Sequence, residues 1–373
     1  MDDTTATGGQ AAGGQGATLL WLRRDLRLDD NPALAAALAR GGPVIPVFVL
    51  DEVVEATYGA APRWRLERSL DDLGRRLGAR ASRLVLRRGP AAATLLALAR
   101  ETGAGSVVWS RQYDGRAIAR DTAVKTTLRE RGVEAVSVNG SLLFEPWTVE
   151  TGQGGFYRVY TPYWRAVCRR DPGDPLPVPA DLAPPDGWPA SDRLADWGLG
   201  RAMHRGGAIV ARHANIGEDA ALARLDAFLG DAIARYAADR DRPDLTGTSN
   251  LSENLATGEL SPRRAWTRAR ARLDELSGKA AEGAETFLKE LVWREFSYHL
   301  VHHTPRLTDA NWREEWDSFP WRDDNADAEA WRRGMTGYEM VDAGMREMYV
   351  TGRMHNRMRM LTASLLTKHL MTH

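Results

Sequence analysis

Short apolar runs alternate with helix-like stretches up to about residue 140. Thr18 to Leu22, Val44 to Leu50, Arg83 to Leu86, Ser106 to Trp109 and Glu134 to Val138 are short and rich in branched or aromatic residues, which predicts strands. Between them, Pro32 to Arg40, Pro62 to Leu77, Ala91 to Glu101 and Ile118 to Arg131 predict helices. Asn31 before Pro32 combines a good N-cap with proline at the first helical position, and Gly41 marks the stop. This alternation predicts an α/β domain built on a parallel, doubly wound sheet.

The texture changes at Pro146. Gly152 to Gly155 and the proline-rich stretch from Asp171 to Ala190 predict a long connector laid over the surface. Beyond Gly206 the pattern is helical, over Ala208 to Ala214, Glu218 to Tyr236, Ser261 to Leu276, Glu285 to His303 and Gly344 to Leu370, with a loop from Arg240 to Pro262. We therefore expect an α/β domain at 17–145, a linker at 146–205 and an all-α domain at 206–373. Residues 1–16, rich in Gly, Ala, Gln and Thr, lack the basic and apolar regions of a signal peptide and predict a disordered tail.

Charge and composition narrow the function classes. Fifty Lys plus Arg balance fifty Asp plus Glu, so any polyanion must be recruited by a local cluster. The single cysteine, Cys168, excludes an internal disulfide and a cysteine-based metal site, suits a cytoplasmic protein, and is expected as a buried thiol. No apolar run approaches the roughly 18 residues of a membrane span. Thirteen tryptophans are many for 373 residues and hint at stacking or redox work.

Four stretches carry candidate chemistry. After the first strand comes Arg23-Arg24-Asp25-Leu26-Arg27 where a dinucleotide fold would have G-x-G-x-x-G; this charged turn could salt-bridge internally or line a cleft. The loop Thr248-Ser249-Asn250-Leu251-Ser252 offers hydroxyls beside backbone amides, able to hold phosphate or merely to satisfy its own backbone. On the helix from Glu285, an apolar half (Phe287, Leu288, Leu291, Val292, Phe296) opposes Glu290, Trp293 and Ser297; such an indole needs a neighbouring helix or a flat ligand to stack on. If 344–370 is one helix, Arg353, Asn356, Arg357 and Met360 share about 100° of arc, either a solvated cationic face or a site. His299, His302 and His303 allow a zinc reading, the weaker one.

Arg235-Tyr236 to Pro262, Trp293-Arg-Glu-Phe296 and Met354-His-Asn-Arg357 together resemble the flavin domain of the photolyase/cryptochrome family. The opening Trp21-Leu-Arg-Arg-Asp-Leu-Arg-Leu-Asp-Asp-Asn-Pro32 resembles its first strand and turn, and within the family the chain looks most like class I cyclobutane pyrimidine dimer photolyases. The resemblance implies an α/β antenna domain and a helical domain holding FAD in a bent shape. It implies flavin contacts from Tyr236, Thr248, Ser249, Asn250, Leu251 and Ser252, with Asn356 facing N5. Glu290 would hydrogen-bond the lesion bases, Trp293 would stack on the dimer and Met360 would pack on its other side. Arg240, Arg294, Arg357 and Arg359 would contact phosphate or position the cofactor. Arg346 to Lys368 holds five basic residues against Glu347, a local DNA footprint.

In that family blue light excites reduced FAD (FADH⁻), one electron passes to the dimer, the cyclobutane ring splits and the electron returns. The expected partner is damaged DNA carrying pyrimidine dimers, bound by a monomer. A second antenna chromophore of folate, deazaflavin or flavin type would border Arg111 to Gly115 and the Arg23 turn. A cryptochrome-type photosensor and a photolyase of (6-4) photoproducts are the rival readings. Phe287 and Arg353 stand where members have Trp, and Trp321 matches the outer tryptophan of the photoreduction chain. Family members continue roughly 100 residues further, so the chain is expected to be C-terminally truncated, to end mid-helix at His373 and to retain flavin weakly.

Overall fold

A computed structural model describes residues 16–373, so the expected tail lies outside the described residues except for Gly16. Five parallel strands, β1 (Thr18–Leu22), β2 (Val44–Leu50), β3 (Val85–Arg88), β4 (Ser106–Ser110) and β5 (Glu134–Val138), form one sheet in the order β3-β2-β1-β4-β5. Helices α1 (Pro32–Leu38), α2 (Glu52–Thr57), α3 (Ala60–Gly78), α4 (Ala91–Thr102) and α5 (Gly115–Arg129) connect them. The central strands bury both faces, as a sheet covered on each side must. Leu20, Phe48 and Leu70 belong to one core, and Leu19, Ile45 and Trp109 to the other. Helix α2 carries no pattern signal; Asp51 makes it by accepting from the amides of Val53 and Val54.

The connecting segment is more structured than a surface wrap. It holds α6 (Tyr160–Val167) and α7 (Leu194–Trp197). Tyr163 and Val167 enter the helical core, Leu182 and Leu199 enter the α/β core, and the Asp192 amide donates to Leu86 O at 2.9 Å. Cys168 is half-buried, not fully buried as expected, because it lies at the C-cap of the short α6.

The helical part comprises α8 (His204–Ala211), α9 (Glu218–Gly230), α10 (Tyr236–Asp239), α11 (Ser252–Thr257), α12 (Pro262–Glu275), α13 (Gly278–His303), α14 (Ala326–Arg332), α15 (Glu339–Thr351) and α16 (Asn356–Ser364). Three expected helices differ. The run from Glu218 breaks at Gly230 into a 3-10 turn before α10, and α13 begins a full turn and more ahead of Glu285. The expected helix 344–370 is two helices. Gly352 closes α15 at φ 75°, a conformation that stops a right-handed helix, and packs where a Cβ would touch the Val210 side chain at 3.0 Å. Helical turns end at His369, and Arg322 and Thr372 then form a bridge, so the chain does not stop mid-helix.

The charged turn after β1 is the seam between the two parts. Glu218 at the start of α9 accepts from the amides of Leu28 (2.6 Å) and Asp29 (3.1 Å). Arg264 and Arg263 on α12 bind Asp29 and Asp30, and Arg27 donates to Gly258 O at 3.1 Å. Arg23 turns inward to Asp121 at 2.7 Å and to the Ser110 carbonyl, filling the crevice between β1 and β4 where the strand order reverses. Buried charges of this kind are held only by full pairing, and Arg120 completes the set through Asp51 and Asp121.

Candidate functional site

Helix α13 lies across the helical core, with Phe287, Leu288, Leu291, Val292 and Phe296 buried as its periodicity requires. Its other side presents Glu290 and Trp293. The Glu290 carboxylate accepts from Arg240 at 2.5 Å, and Arg240 also reaches Asp241 at 3.5 Å. Asp241 in turn pairs with Arg357 on α16 at 2.7 Å, and Arg357 touches the Met360 sulfur at 3.3 Å. One chain of contacts thus joins three segments far apart in sequence: α13, the loop after α10, and α16. At its two ends, Trp293 on α13 and Met360 on α16 remain 44% and 56% exposed.

Asn356 is the first residue of α16 and is exposed; its amide bonds no other described residue. His355 caps the helix by accepting from the Arg357 amide. Tyr236 is buried, edge-on to Phe228 and Phe287 at 5.4 and 5.9 Å, with Arg240 above its ring. Phe287 is therefore a core residue. In the loop, Leu251 is buried, Asn250 takes φ 51° and its carbonyl accepts from Arg224 at 2.8 Å. The Thr248 hydroxyl has only a long contact to Asn250 at 3.4 Å, and the hydroxyls of Ser249 and Ser252 bond no other described residue. These uncommitted hydroxyls and the free amide suit a ligand with phosphates and a polar ring edge, so the donor set fits a flavin dinucleotide.

Other predicted residues fall elsewhere. Arg353 is not on a shared helix face; it lies in the α15–α16 turn and pairs with Glu253 at 2.7 Å. Arg294 leaves the Glu290 side and binds Glu295 at 2.9 Å, over the Tyr298 ring. Arg359 is exposed and donates to Met354 O at 3.1 Å. Trp321 sits half-exposed between Phe319 and His373, its indole bonded to Trp316 O. His299 and His303 both face Pro146 O, and no group of three or more His, Cys, Asp or Glu arranged to hold a metal occurs among the described residues.

Two participants escaped the sequence reading. Asp241 bridges two arginines, and nothing in its local pattern marks it. Tyr160, in the connector, stacks flat on Trp293 with ring centroids 3.7 Å apart and planes 6° apart; its only signal is the Tyr160/Trp164 spacing of one helical turn. A separate cavity of about 520 Å³ opens between the two parts, lined by Arg24, Tyr58, Trp64, Val210, Thr257 and Tyr298.

Residues 18–180 match the DNA photolyase family and residues 287–373 match the FAD binding domain of DNA photolyase. A deoxyribodipyrimidine photo-lyase of Agrobacterium fabrum is 44% identical over 95% of this chain and 73% of its own length. The chain belongs to the photolyase/cryptochrome family. A crystal structure of a bacterial class III photolyase from Agrobacterium tumefaciens superimposes with TM-score 0.91 at 41% identity, covering all of this chain and 76% of that one. Cryptochrome-2 of Arabidopsis thaliana is 34% identical over 95% of this chain and 60% of its own. In this photolyase-family chain the matched FAD binding domain, residues 287–373, takes in α13 from Phe287 on and all of α14 to α16, and Asn356 lies within it. None of its described helices is long and apolar enough to cross a membrane.

Proposed function

We propose that this chain performs light-dependent repair of cyclobutane pyrimidine dimers in DNA. The observation that carries the reading is the contact chain from Glu290 through Arg240, Asp241 and Arg357 to Met360. That chain links a carboxylate, two cations and a thioether, with the exposed Trp293 three residues beyond Glu290 on α13 and Asn356 directly before Arg357 on α16, a set that supports the reading. When bound, reduced FAD supplies a light-excited one-electron donor. The chain's own residues then do the recognition. Fused pyrimidines must leave the duplex stack to be reached, as in other base-flipping enzymes. Trp293 offers a flat face for them and Glu290 accepts a base N–H, while Arg240 fixes the carboxylate's direction. Arg357 and Arg359 meet phosphate, and Thr248, Ser249, Ser252 and Asn356 hold the cofactor's polar groups.

The chain's motifs resemble class I enzymes, whereas its likeness to a class III structure over its full length favours class III. A second chromophore of folate, deazaflavin or flavin type is best accommodated in the interdomain cavity. That cavity is large, is lined by Tyr58, Trp64 and Tyr298, and includes a buried Trp64 indole nitrogen with no hydrogen-bond partner among the described residues.

The test is loss of thymine dimers from an irradiated oligonucleotide with FAD supplied, under blue light and in the dark. Light-dependent loss supports the proposal. A light-induced change in the flavin spectrum without loss of either photoproduct identifies a cryptochrome-type sensor, and loss of (6-4) products alone identifies the other repair activity.

A further inference from the structure

We propose that Tyr160 is a positioning residue for dimer recognition, holding the Trp293 indole in the plane on which the lesion stacks. This rests on the repair reading above. An indole on a helix surface ordinarily samples several rotamers, and binding must then freeze it. Here one broad face of Trp293 is covered by the Tyr160 ring, 3.7 Å away and within 6° of parallel. Phe296 closes an edge of both rings, 5.8 Å from Trp293 at 74° and 5.9 Å from Tyr160 at 71°.

Tyr160 is itself fixed. Its hydroxyl donates to Lys289 O at 2.7 Å, one residue before Glu290 on the same helix. It is the first residue of α6, whose Tyr163 and Val167 are buried in the helical core. The connector thus reaches across and clamps α13 at the turn that carries both lesion-facing groups. Trp293 is nonetheless 44% exposed. With Tyr160 stacked on one face, the opposite face is the one a lesion base would stack on.

Ordering a side chain before binding removes that entropy from the association step, worth about 2- to 10-fold in affinity for a ring of this size. The prediction is selective: only a partner that stacks on Trp293 should gain, so DNA without a dimer should not.

The experiment measures affinity of the full chain, with FAD supplied, for an oligonucleotide with one thymine dimer and for its undamaged counterpart. Tyr160→Leu removes the platform and Tyr160→Phe keeps the ring while losing the hydroxyl. We expect Tyr160→Leu to bind the dimer about 2- to 10-fold more weakly with undamaged DNA unchanged, and Tyr160→Phe to recover most of the loss. Tyr160→Met, of similar volume but without a plane, replaces Tyr160→Leu if the latter does not fold and should behave alike. Dimer affinity equal to the parent's in the platform-less variant, or an equal loss for both DNAs, overturns the role of Tyr160. A parent protein with no preference for the dimer overturns the repair reading, and this inference with it.

Discussion

Arg240 holds the Glu290 carboxylate at 2.5 Å, so the residue expected to read the lesion is already half of an ion pair. With Arg240 in place the carboxylate keeps one direction and one oxygen free for a base. Replacing Glu290 by Ala removes the acceptor and leaves the cofactor contacts untouched. Repair should slow by about 10- to 100-fold, the value of an unmade buried hydrogen bond. Blue-light dimer loss and flavin absorbance, measured on one preparation, check this; a matching fall in flavin content would move Glu290 to the cofactor.

Asp241 sits between the half-buried Arg240 and Arg357 and offsets part of their positive charge. Asp241→Asn should therefore tighten binding to any DNA, by about 2- to 5-fold at low salt. The gain should vanish as salt is raised, because it is a counterion effect. A salt titration of oligonucleotide affinity would expose a different role if the gain persisted or depended on the lesion.

Asn356 presents an amide with no hydrogen-bond partner among the described residues at the start of α16. Asn356→Asp puts a negative charge there with little change in shape. We expect the midpoint potential of bound flavin to fall while affinity for undamaged DNA changes less than about twofold, the behaviour of a group coupled to a nearby cofactor charge. Spectroelectrochemistry gives the first quantity and a binding curve the second.

Gly258 closes α11 at φ 74°, and a Cβ there would overlap the Arg24 carbonyl across the domain seam. Gly258→Ala should lower stability by on the order of 3 kcal/mol, combining backbone strain with displacement of the β1 turn. Gly132 has the same φ but open space around it, so Gly132→Ala isolates the backbone part, about 1 kcal/mol. Thermal melting of the two variants separates a seam contact from conformational strain.

Two buried groups one turn apart on α13 titrate against each other. Burial raises the Glu295 carboxyl to about 7 from 4.5, despite Arg294 and the Leu143 and Phe144 amides, which favour its charged form. Its contribution to stability is therefore complete below pH 4.5 and is lost as pH rises through 7. Burial, with His303 next in importance, lowers His299 to about 4 from 6.5, so its contribution is present above 6.5 and lost as pH falls through 4. Between pH 4.5 and 6.5 the slopes oppose. Glu295→Gln removes one of them, and its stability should then climb with pH more steeply than the parent's, by on the order of 1 kcal/mol per unit. Urea midpoints at pH 5 and 6.5 decide it; equal slopes in both proteins would mean that Glu295 does not take up the proton.

Much of the frame was legible in the chain. A buried parallel strand must be apolar throughout and an amphipathic helix must repeat near 3.6 residues, so β1, β2 and the buried face of α13 could be read from local pattern alone. Residue chemistry also picked out Glu290, Trp293 and Asn356 as unlike a core. What stacks on an indole, or which arginine meets which acid, depends on contacts between segments that no period encodes. Trp293 found Tyr160 from the connector, Arg357 found Asp241, and Arg353 turned away to Glu253. The mixed stretch 352–360 shows the division most clearly. Its residue types left a solvated cationic face and a site both open, while Gly352 adopts a left-handed turn against Val210, a neighbour more than a hundred residues away, and only that packing broke one helix into two and left Asn356 exposed at the start of the second.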